Sequence, residues 1–424
     1  MKHNKPYIAT YRLSQLLISF ISTLFILSLL VFSKTAFDAA LGGIRLWLWV
    51  VFPALFPFFV GSEILSSTGL IRAIGMLLEP IMRPIFNVPG GGSFAFAMGI
   101  SSGYPVGAKI TADMRKNNIL TKVEAERLLC FTNNSGPLFI TGAVATGMYG
   151  IPMLGTLFLL CHYLACITVG IIFRFYKKDK FVHHRHNIPM HNTLKKSVSE
   201  SVRIYSNYPD KHSFGIILSK SIKNSLNLIL TIGGFIVLFS VVINILLHSG
   251  IIKTISAAVS PLLSLIGVSR YMSSPIVAGF FEITAGTNLA SKISCVPLIE
   301  QLAATSFIIG WAGISVHCQV IGIINKTDIS IYPYLLAKLL QGIFASIYTV
   351  VFLKFTNMFS FDAQMAFKIN EAAFLSSPIK SIGFSAELLF VTLLILILAG
   401  LSAVVFSRTL TFISSTIKKH PNSN

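Results

Sequence analysis

Charged side chains are scarce in this chain, and acidic ones are the scarcer kind. Only 12% of the 424 residues are charged, with 15 Asp or Glu against 34 Lys or Arg, while 54% are hydrophobic. The mean hydropathy is +0.75. A water-soluble protein of this length could not bury so much apolar surface, so the composition excludes that class and indicates a lipid bilayer as the solvent. We therefore predict an all-α polytopic membrane protein.

Motifs of common enzymes and nucleic-acid-binding proteins are also missing. No Walker A motif is present, so ATP does not drive this chain directly, and no H-E-x-x-H, G-x-S-x-G or paired-carboxylate pattern indicates catalysis. The net charge of +19 lies in short loops between apolar runs, not in a basic patch interleaved with base-stacking aromatics. We therefore expect neither an enzyme nor a nucleic-acid-binding protein.

Cysteine and histidine do not form a convincing metal site. The five cysteines contain no C-x-x-C pair and lie in or beside apolar runs, which favours small buried side chains. Four histidines cluster in a basic stretch, at His183, His184, His186 and His191. Because that stretch has no cysteine and one nearby acid, a solvated loop is favoured over a metal site. We expect no metal and no cofactor.

Apolar runs long enough to cross a bilayer recur along the chain, because a helix of about 20 residues spans the hydrocarbon core. The first run is too long for a signal-peptide core and is interpreted as an uncleaved span. Two shorter apolar segments, 93–112 and 273–293, contain Gly, Pro and polar residues at their centres and are predicted to be re-entrant hairpins. The eight predicted full spans are 13–32, 44–61, 129–150, 151–176, 226–250, 302–328, 332–356 and 386–410.

Basic residues predict the orientation of these spans. Segment 177–213 holds eight Lys or Arg against three acids, and loops of this kind remain in the cytoplasm. Both chain ends are also basic, with Lys2, Lys5 and Arg12 at one and Arg408 and Lys418 at the other. Threading the spans with both ends inside places the basic loop inside as well. We therefore predict cytoplasmic N- and C-termini.

The two halves of the chain align without gaps at an offset of 181 residues. Between 58–88 and 239–269, nine of 31 aligned positions are identical, and the same offset aligns the interrupted segments 101–107 and 282–288. Two such units in opposite orientation are the inverted-repeat plan of secondary transporters, in which one central site opens alternately to either side. The predicted divisions are 1–43 (tail and first span), 44–176 (first repeat), 177–213 (cytoplasmic loop), 214–356 (inverted repeat) and 357–424 (outer loop, last span and tail).

Three interrupted segments carry the candidate site residues. The run from Ser101 to Lys109 contains Pro105 and small residues that cannot sustain a regular helix, and such a break leaves helix N–H groups available to an anion. The alternative is a tight packing kink. Substrate contact is the interpretation we favour, through the following residues: Ser101, Ser102, Gly103, Tyr104, Gly107 and Lys109.

The matching stretch of the second half contains Glu282, the only acid in the apolar part of its hairpin. A buried charge there must be paired or neutralised, so Glu282 is either a coupling-ion or proton site or a partner for a basic residue. The alternative is a structural ion pair that joins the two units. Polar neighbours predicted to bind substrate are Thr284, Thr287 and Asn288.

A third break, from Asn133 to Pro137, interrupts a full span. Amides and hydroxyls there can replace water around a polar solute, and we predict substrate contact by Asn133, Asn134 and Ser135. The counterpart in the second half contains Trp311, Ser315, His317 and Gln319, of which Ser315 is a predicted substrate ligand. His317 is kept as a coupling candidate, although a hydrogen-bonded structural role is the more frequent one for a histidine inside a membrane.

The runs FAMGISSGYPVGAKITADMRKNN and CFTNNSGPLFITGAV resemble the nucleoside-recognition, or Gate, domain of concentrative nucleoside transporters and of the membrane part of ferrous-iron transporters. Nearly the whole chain resembles the YlbJ-type sporulation integral membrane proteins of endospore-forming bacteria, a stage V sporulation family. SGYPVGAK and TNNSGP are the most specific parts of that resemblance.

The resemblance implies transport of dipicolinate (pyridine-2,6-dicarboxylate) from the mother cell across the outer forespore membrane, through a site between the two hairpins and the two broken spans. A small planar dianion suits helix N-termini and Lys109. Two alternatives stay open: a nucleoside or ion carrier of the Gate family, and a non-transporting scaffold that recruits other sporulation membrane proteins through loop 177–213.

Overall fold

A computed structural model of the chain describes residues 5–67, 79–177 and 214–358. These residues form helices and connecting turns with no β-strand, which confirms the predicted all-helical fold. The predicted span 386–410, the four clustered histidines, nearly all of the basic loop and both chain ends lie outside these ranges.

The first half begins with a bent pair of helices and continues through a hairpin and a broken span. Its helices are α1 (Lys5–Val31), α2 (Ser33–Leu46), the π-helix π1 (Trp47–Val51), α3 (Phe52–Ser67), α4 (Glu79–Phe86), α5 (Gly92–Ser102), α6 (Val106–Lys116), α7 (Lys122–Thr132), the π-helix π2 (Phe139–Met148) and α8 (Leu154–Phe173).

The second half repeats the order of hairpin, broken span and span. Its helices are α9 (Phe214–His248), α10 (Ile251–Leu265), a 3₁₀ turn (Arg270–Met272), α11 (Ser273–Phe281), α12 (Ile283–Ser291), α13 (Leu298–Trp311), α14 (Gly313–Ile324) and α15 (Tyr332–Met358).

Four stretches of the described chain are long and apolar enough to cross a membrane, and a bent pair gives a fifth. They are Leu154–Phe173, Phe214–His248, Leu298–Ile324 and Tyr332–Lys354, and the pair is Gln15–Val31 with Ser33–Trp49, bent by 99°. The predicted span 129–150 is divided into α7 and π2, with irregular chain at 133–136. The predicted span 302–328 is divided at Ala312, whose φ is 74°. The breaks therefore separate short helices that together have the length of a span.

Glycines let each hairpin tip lie directly against one of these breaks. Hairpin 1 is the pair α5–α6, and a Cβ atom on its Gly103 would lie 2.5 Å from the backbone nitrogen of Gly136. Hairpin 2 is the pair α11–α12, and a Cβ atom on Gly313 would lie 3.1 Å from Cα of Glu282. Gly103 and Gly313 also have φ values of 80° and 85°, which glycine adopts readily. Each tip is thus fixed on the broken span of its own half.

One end of the molecule, here called the basic-loop end, gathers the turns at 116–122, 174–177 and 325–331. The Arg127 side chain donates to the carbonyl oxygens of Tyr176 and Lys177 at 2.6 to 2.9 Å. The Arg115 guanidinium binds Asp328 in a bidentate pair at 2.8 and 3.0 Å. The base of hairpin 1, whose helix α6 ends at Lys116, therefore lies at this end, where segment 178–213 begins.

The base of hairpin 2 lies at the other end of the molecule. There Tyr149, just after π2, forms a 2.6 Å hydrogen bond with Thr305 in the middle of α13. The Thr287 hydroxyl of α12 lies 3.3 Å from the sulfur of Met148. The two hairpins consequently enter from opposite ends, and their tips meet near the middle.

The two halves share their buried core. One cluster packs Phe86, Phe96 and Phe131 of the first half with Val316 and Val320 of α14. A second cluster joins π2 and α8 to the start of α12 and to α13. Because these clusters cross the boundary between the halves, the described parts of the two predicted repeats are interlocked.

Candidate functional site

The tips of both hairpins line one buried cavity, here called the central cavity. Its volume is about 50 Å³. Hairpin 1, hairpin 2, both breaks and the apolar faces of π1, π2 and α9 meet there. The lining residues are Val51, Ser102, Gly103, Tyr104, Gly136, Phe139, Ile232, Ile236, Glu282, Ile283, Thr284, Ser315, Val316 and Gln319.

Two polar atoms in the wall of the central cavity have no hydrogen-bond partner among the described residues. They are Oγ of Ser102 and Oε1 of Gln319, and both residues are buried, at 4% and 8% exposure. A buried polar atom without a partner costs about 1–3 kcal/mol. Such a wall is therefore prepared to hydrogen-bond a polar solute or water.

Glu282 binds the N-terminus of its own hairpin helix. Its Oε1 accepts from the backbone N–H of Thr284 at 2.9 Å, and its Oε2 accepts from that of Ala285 at 2.7 Å. The carboxylate thus caps α12 and lies at the positive end of the helix dipole. Within the described ranges Glu282 takes part in no ion pair. In the described part of the chain, the carboxylate at the cavity wall is therefore held by backbone N–H groups of its own helix.

Hairpin 1 is built differently at its tip. Helix α6 begins after Pro105 and has no side-chain cap. The Tyr104 hydroxyl accepts a 3.0 Å hydrogen bond from Oγ of Ser135, which connects the tip to the break between α7 and π2. The backbone N–H of Ser135 donates to Nε2 of His162 on α8 at 3.2 Å. The break is therefore anchored on both sides, and no acid occupies the start of α6.

A larger cavity of about 480 Å³, here called the vestibule, adjoins the central one. It lies between α6, α9 and α14 and faces the basic-loop end, where α6 and α14 finish. Gln319 lines both cavities, and the neighbours Tyr104 and Pro105 line one each, so these side chains separate the two spaces. The vestibule residues are Pro105, Val106, Lys109, Asn224, Asn227, Leu228, Thr231, Phe235, Cys318, Gln319, Gly322 and Ile323.

Lys109 gives the vestibule its electrostatic character. It is exposed, and it is the single charged residue among those described in the vestibule wall. The amides of Asn224 and Asn227 and the hydroxyl of Thr231 face it from α9. This combination of one cation with neutral donors suits a small anion more than a cation.

The predicted site residues fall into three places. Six line the central cavity, namely Ser102, Gly103, Tyr104, Glu282, Thr284 and Ser315, and Lys109 lines the vestibule. The others line neither space in this structure: Ser101, Gly107, Asn133, Asn134, Ser135, Thr287, Asn288 and His317.

Local packing explains why several of these residues are turned away. Gly107 lies against the carbonyl of Thr132, where a Cβ atom would be only 2.0 Å from the oxygen. The Thr287 hydroxyl donates to the carbonyl of Ile283 at 2.8 Å within its own helix. His317 contacts the Trp311 ring, with centroids 4.4 Å apart, and its Nδ1 lies 3.3 Å from the hydroxyl of Tyr334.

The polar residues of α9 were not among the predicted ligands. Asn224, Asn227 and Thr231 are spaced by three and four residues, which places them on one helix face where the polar start of α9 passes into its apolar part. Such spacing of polar residues predicts that this face of α9 borders a polar cavity. Gln319 was noted as the counterpart of a break, but its position between the two cavities depends on the tertiary packing.

Comparisons with known proteins show the family and the fold of this chain. Residues 48–152 match the family model described as Gate, nucleoside recognition. The sporulation integral membrane protein YlbJ of Bacillus subtilis is 40% identical over 325 residues, which are 76% of this chain and 78% of that protein. Among solved structures, a variant of the concentrative nucleoside transporter CNTnw in the intermediate 3 state aligns with a TM-score of 0.50 at 12% identity. That alignment covers 84% of this chain and 88% of the other, and it indicates a shared fold.

Proposed function

Since this chain belongs to the family of the sporulation integral membrane protein YlbJ, we propose that it is a transporter of a small organic anion. The proposed cargo is dipicolinate, moved from the mother cell across the outer forespore membrane. The observation that carries the proposal is that two hairpin tips meet at a central cavity whose wall contains unpaired polar atoms. The adjoining vestibule is lined by one charged residue among those described, Lys109.

The sizes of the two cavities support a transport cycle. Ligand pockets usually measure about 300–1,000 Å³, a range that includes the 480 Å³ vestibule but not the 50 Å³ central cavity. A water molecule takes about 30 Å³, so the central cavity in this conformation has room for one or two waters. Passage of dipicolinate then requires that the hairpin tips separate.

We propose that the two halves are inverted repeats, with hairpin 1 entering from the cytoplasm and hairpin 2 from the other side. The positive-inside rule assigns the basic loop to the cytoplasm, and the vestibule faces the end where that loop begins. The vestibule is then the entry from the mother cell. Opening of hairpin 2 completes the path toward the forespore, as expected for alternating access around one site.

Reconstitution tests this function directly. The purified full-length protein is placed in liposomes, and entry of dipicolinate is followed by the luminescence of enclosed terbium, with uridine uptake measured in parallel. We expect dipicolinate entry well above that of protein-free liposomes, and no uridine entry. Uridine entry alone would establish a nucleoside carrier, and entry of neither solute would favour the scaffold.

Deletion of residues 183–191 separates transport from scaffolding in cells. Under the transport proposal this deletion leaves spore dipicolinate content unchanged, because the loop lies apart from both cavities along the chain. A scaffold that recruits partners through the loop would lose its function. For the liposome flux assay, the control variant is a substitution of Lys116, which is exposed and lines neither cavity.

A further inference from the structure

Lys338 is a completely buried basic residue in the second turn of α15. Its exposed fraction is 0%, and it lines neither the central cavity nor the vestibule. Among the described residues no carboxylate lies within ion-pair distance of it. An ammonium group inside a membrane protein is costly unless polar groups surround it, so its partners should reveal why it is there.

Those partners are oxygen atoms at the break between α7 and π2. Nζ of Lys338 donates to the backbone carbonyl of Asn133 at 3.2 Å and to Oε1 of Gln341 at 2.8 Å. Asn133 directly follows the last residue of α7, so its carbonyl lies at the negative end of that helix dipole. The ammonium is thus held by a carbonyl, an amide oxygen and a helix C-terminus.

The break itself explains why the Asn133 carbonyl needs an outside donor, because the chain leaves the helical conformation at this residue. In a continuous helix the carbonyl of residue 133 would accept from the N–H of residue 137. A buried carbonyl left unpaired in this way is unfavourable, and Lys338 supplies the missing donor from a helix more than 200 positions later in the chain.

The same face of α15 holds the break at two further points. The side-chain amide of Asn133 donates to the hydroxyl of Tyr334 at 2.9 Å. Nε2 of Gln341 donates to Oδ1 of Asn134 at 2.9 Å. Because Tyr334, Lys338 and Gln341 are spaced by four and three residues, one helix face binds both asparagines of the break. The other oxygen of Asn133, Oδ1, is buried and has no hydrogen-bond partner.

The remaining groups around Lys338 carry no negative charge. His162 and Cys166 face the network from α8, and His317 faces Tyr334 from α14. Nε2 of His162 accepts from the backbone N–H of Ser135, so this ring is neutral with its proton on Nδ1. The amino group of Lys338 therefore lies among uncharged groups and donates to a carbonyl oxygen and an amide oxygen, two atom types that also bind monovalent cations.

We propose that the ammonium of Lys338 is a resident cation that occupies a monovalent-cation position at this break. The side chain takes the place that a free sodium or potassium ion would otherwise fill beside the Asn133 carbonyl and the Gln341 amide. The broken span is then held together without a dissociable ion. This role goes beyond the identity of the transported solute and can be tested without measuring flux.

Thermal unfolding in different salts tests the resident cation. The full-length protein in detergent is heated in sodium, potassium, lithium or choline chloride at equal ionic strength. We expect the Tm of the native protein to be the same in all four salts. Lys338→Ala should lower the Tm in choline by about 4 °C or more, and small alkali cations should restore part of it in a concentration-dependent way.

Three companion variants make the result specific. Lys338→Met fills the same space without charge, so its Tm should fall and alkali cations should not restore it. Lys338→Gln keeps an N–H donor but no charge, and an unchanged Tm in this variant would overturn the proposal. Lys354→Ala removes an exposed lysine from the same helix and should behave as the native protein.

A Lys338→Ala protein that is monodisperse, yet equally destabilised in all four salts, would overturn the cation position itself. A higher Tm of the native protein in sodium chloride than in choline chloride would also overturn it.

Discussion

The two hairpins have the same architecture but opposite chemistry at their tips. Hairpin 2 carries Glu282, which caps its own helix α12 through two backbone N–H groups. Hairpin 1 has no side-chain cap at the start of α6 and presents Ser102 with an unpaired hydroxyl. Lys109 follows one turn later. An anionic solute would therefore be attracted by hairpin 1 and repelled by the acid of hairpin 2.

This difference suggests separate tasks for the two tips. Hairpin 1 offers the donors and the cation that recognise an anion. Hairpin 2 has already used its helix N-terminus internally, so it serves as a closed wall whose stability depends on one buried carboxylate. Symmetry of the backbone thus does not require symmetry of function, and substitutions at the two tips should have different consequences.

The largest effect is expected from Glu282→Ala. Removing the cap leaves two buried N–H groups at the start of α12 without acceptors, at about 1–3 kcal/mol each, and the wall of the cavity loses its shape. We expect dipicolinate flux into liposomes to be abolished while membrane insertion is unchanged. Asp113→Asn, an exposed acid on α6, is the control that should transport normally. Full flux in the Glu282→Ala protein would remove this residue from the mechanism.

A smaller loss is expected from Gln319→Leu, at the side chain shared by the two cavities. Leucine is close to glutamine in size but cannot hydrogen-bond the passing solute, and one lost hydrogen bond to a charged group is worth about 1.5–3 kcal/mol. Initial rates of dipicolinate entry should fall by roughly tenfold or more. Ile321→Leu, on the exposed side of the same helix, should keep the native rate. An unaffected Gln319→Leu protein would show that solute does not pass this side chain.

A modest and salt-dependent loss is expected from Lys109→Gln. The exposed lysine attracts an anion into the vestibule, and such attraction is screened beyond about 10 Å at 0.1 M salt. Dipicolinate entry should slow by about threefold at low ionic strength, and the difference should shrink in high salt. Lys116→Gln leaves the vestibule wall intact and is the matched control. A salt-independent loss would indicate a structural role for Lys109.

The smallest effect is expected where hairpin 1 is joined to the second half at its base. Hydrogen bonds from the Arg115 guanidinium hold the pKa of Asp328 below its usual value. This pair therefore contributes stability above the pKa of an unfolded aspartate, about 3.9, and loses it as the pH falls through the lower folded value. Because both side chains are partly exposed, a double-mutant cycle of Arg115→Ala and Asp328→Ala should give roughly 0.2–1 kcal/mol at neutral pH. An interaction free energy near zero in this cycle would mean that the base of hairpin 1 is held by its core contacts alone.

Much of this architecture was predictable because it depends on local chemistry. Pro105 and Pro137 remove backbone donors at fixed positions, and the surrounding glycines permit close contact, so the hairpin and the broken span could be identified without coordinates. The apolar lengths of α8, α9 and α15 likewise follow from the bilayer. Lys338 was not predicted to have a role. A lysine inside an apolar span indicates a polar environment, but its hydrogen-bond partner Asn133 lies about half the chain away.

Side-chain direction was the part that local patterns could not supply. Thr287 and Asn133 lie in segments predicted to contact substrate, yet the Thr287 hydroxyl binds its own helix and Asn133 binds α15. The direction of each side chain depends on which helix packs against it. The contacts that determine this direction join residues far apart in the chain, such as Asn133 and Lys338, which are separated by 205 positions. Such long-range packing is not encoded in spacing along the chain.

The amino-acid sequence alone determined that this protein lies in a bilayer, where its helices are interrupted, and that its two halves share one pattern of interruptions, because each of these follows from hydropathy and from the backbone limits of proline and glycine. Only the tertiary structure decided that Glu282 caps its own helix, that Gln319 separates two cavities, and that Lys338 completes a broken span. The positions of Gln319 and Lys338 depend on helices that pack across the fold, and the contacts of Glu282 and Lys338 follow from the need of buried polar groups for hydrogen-bond partners.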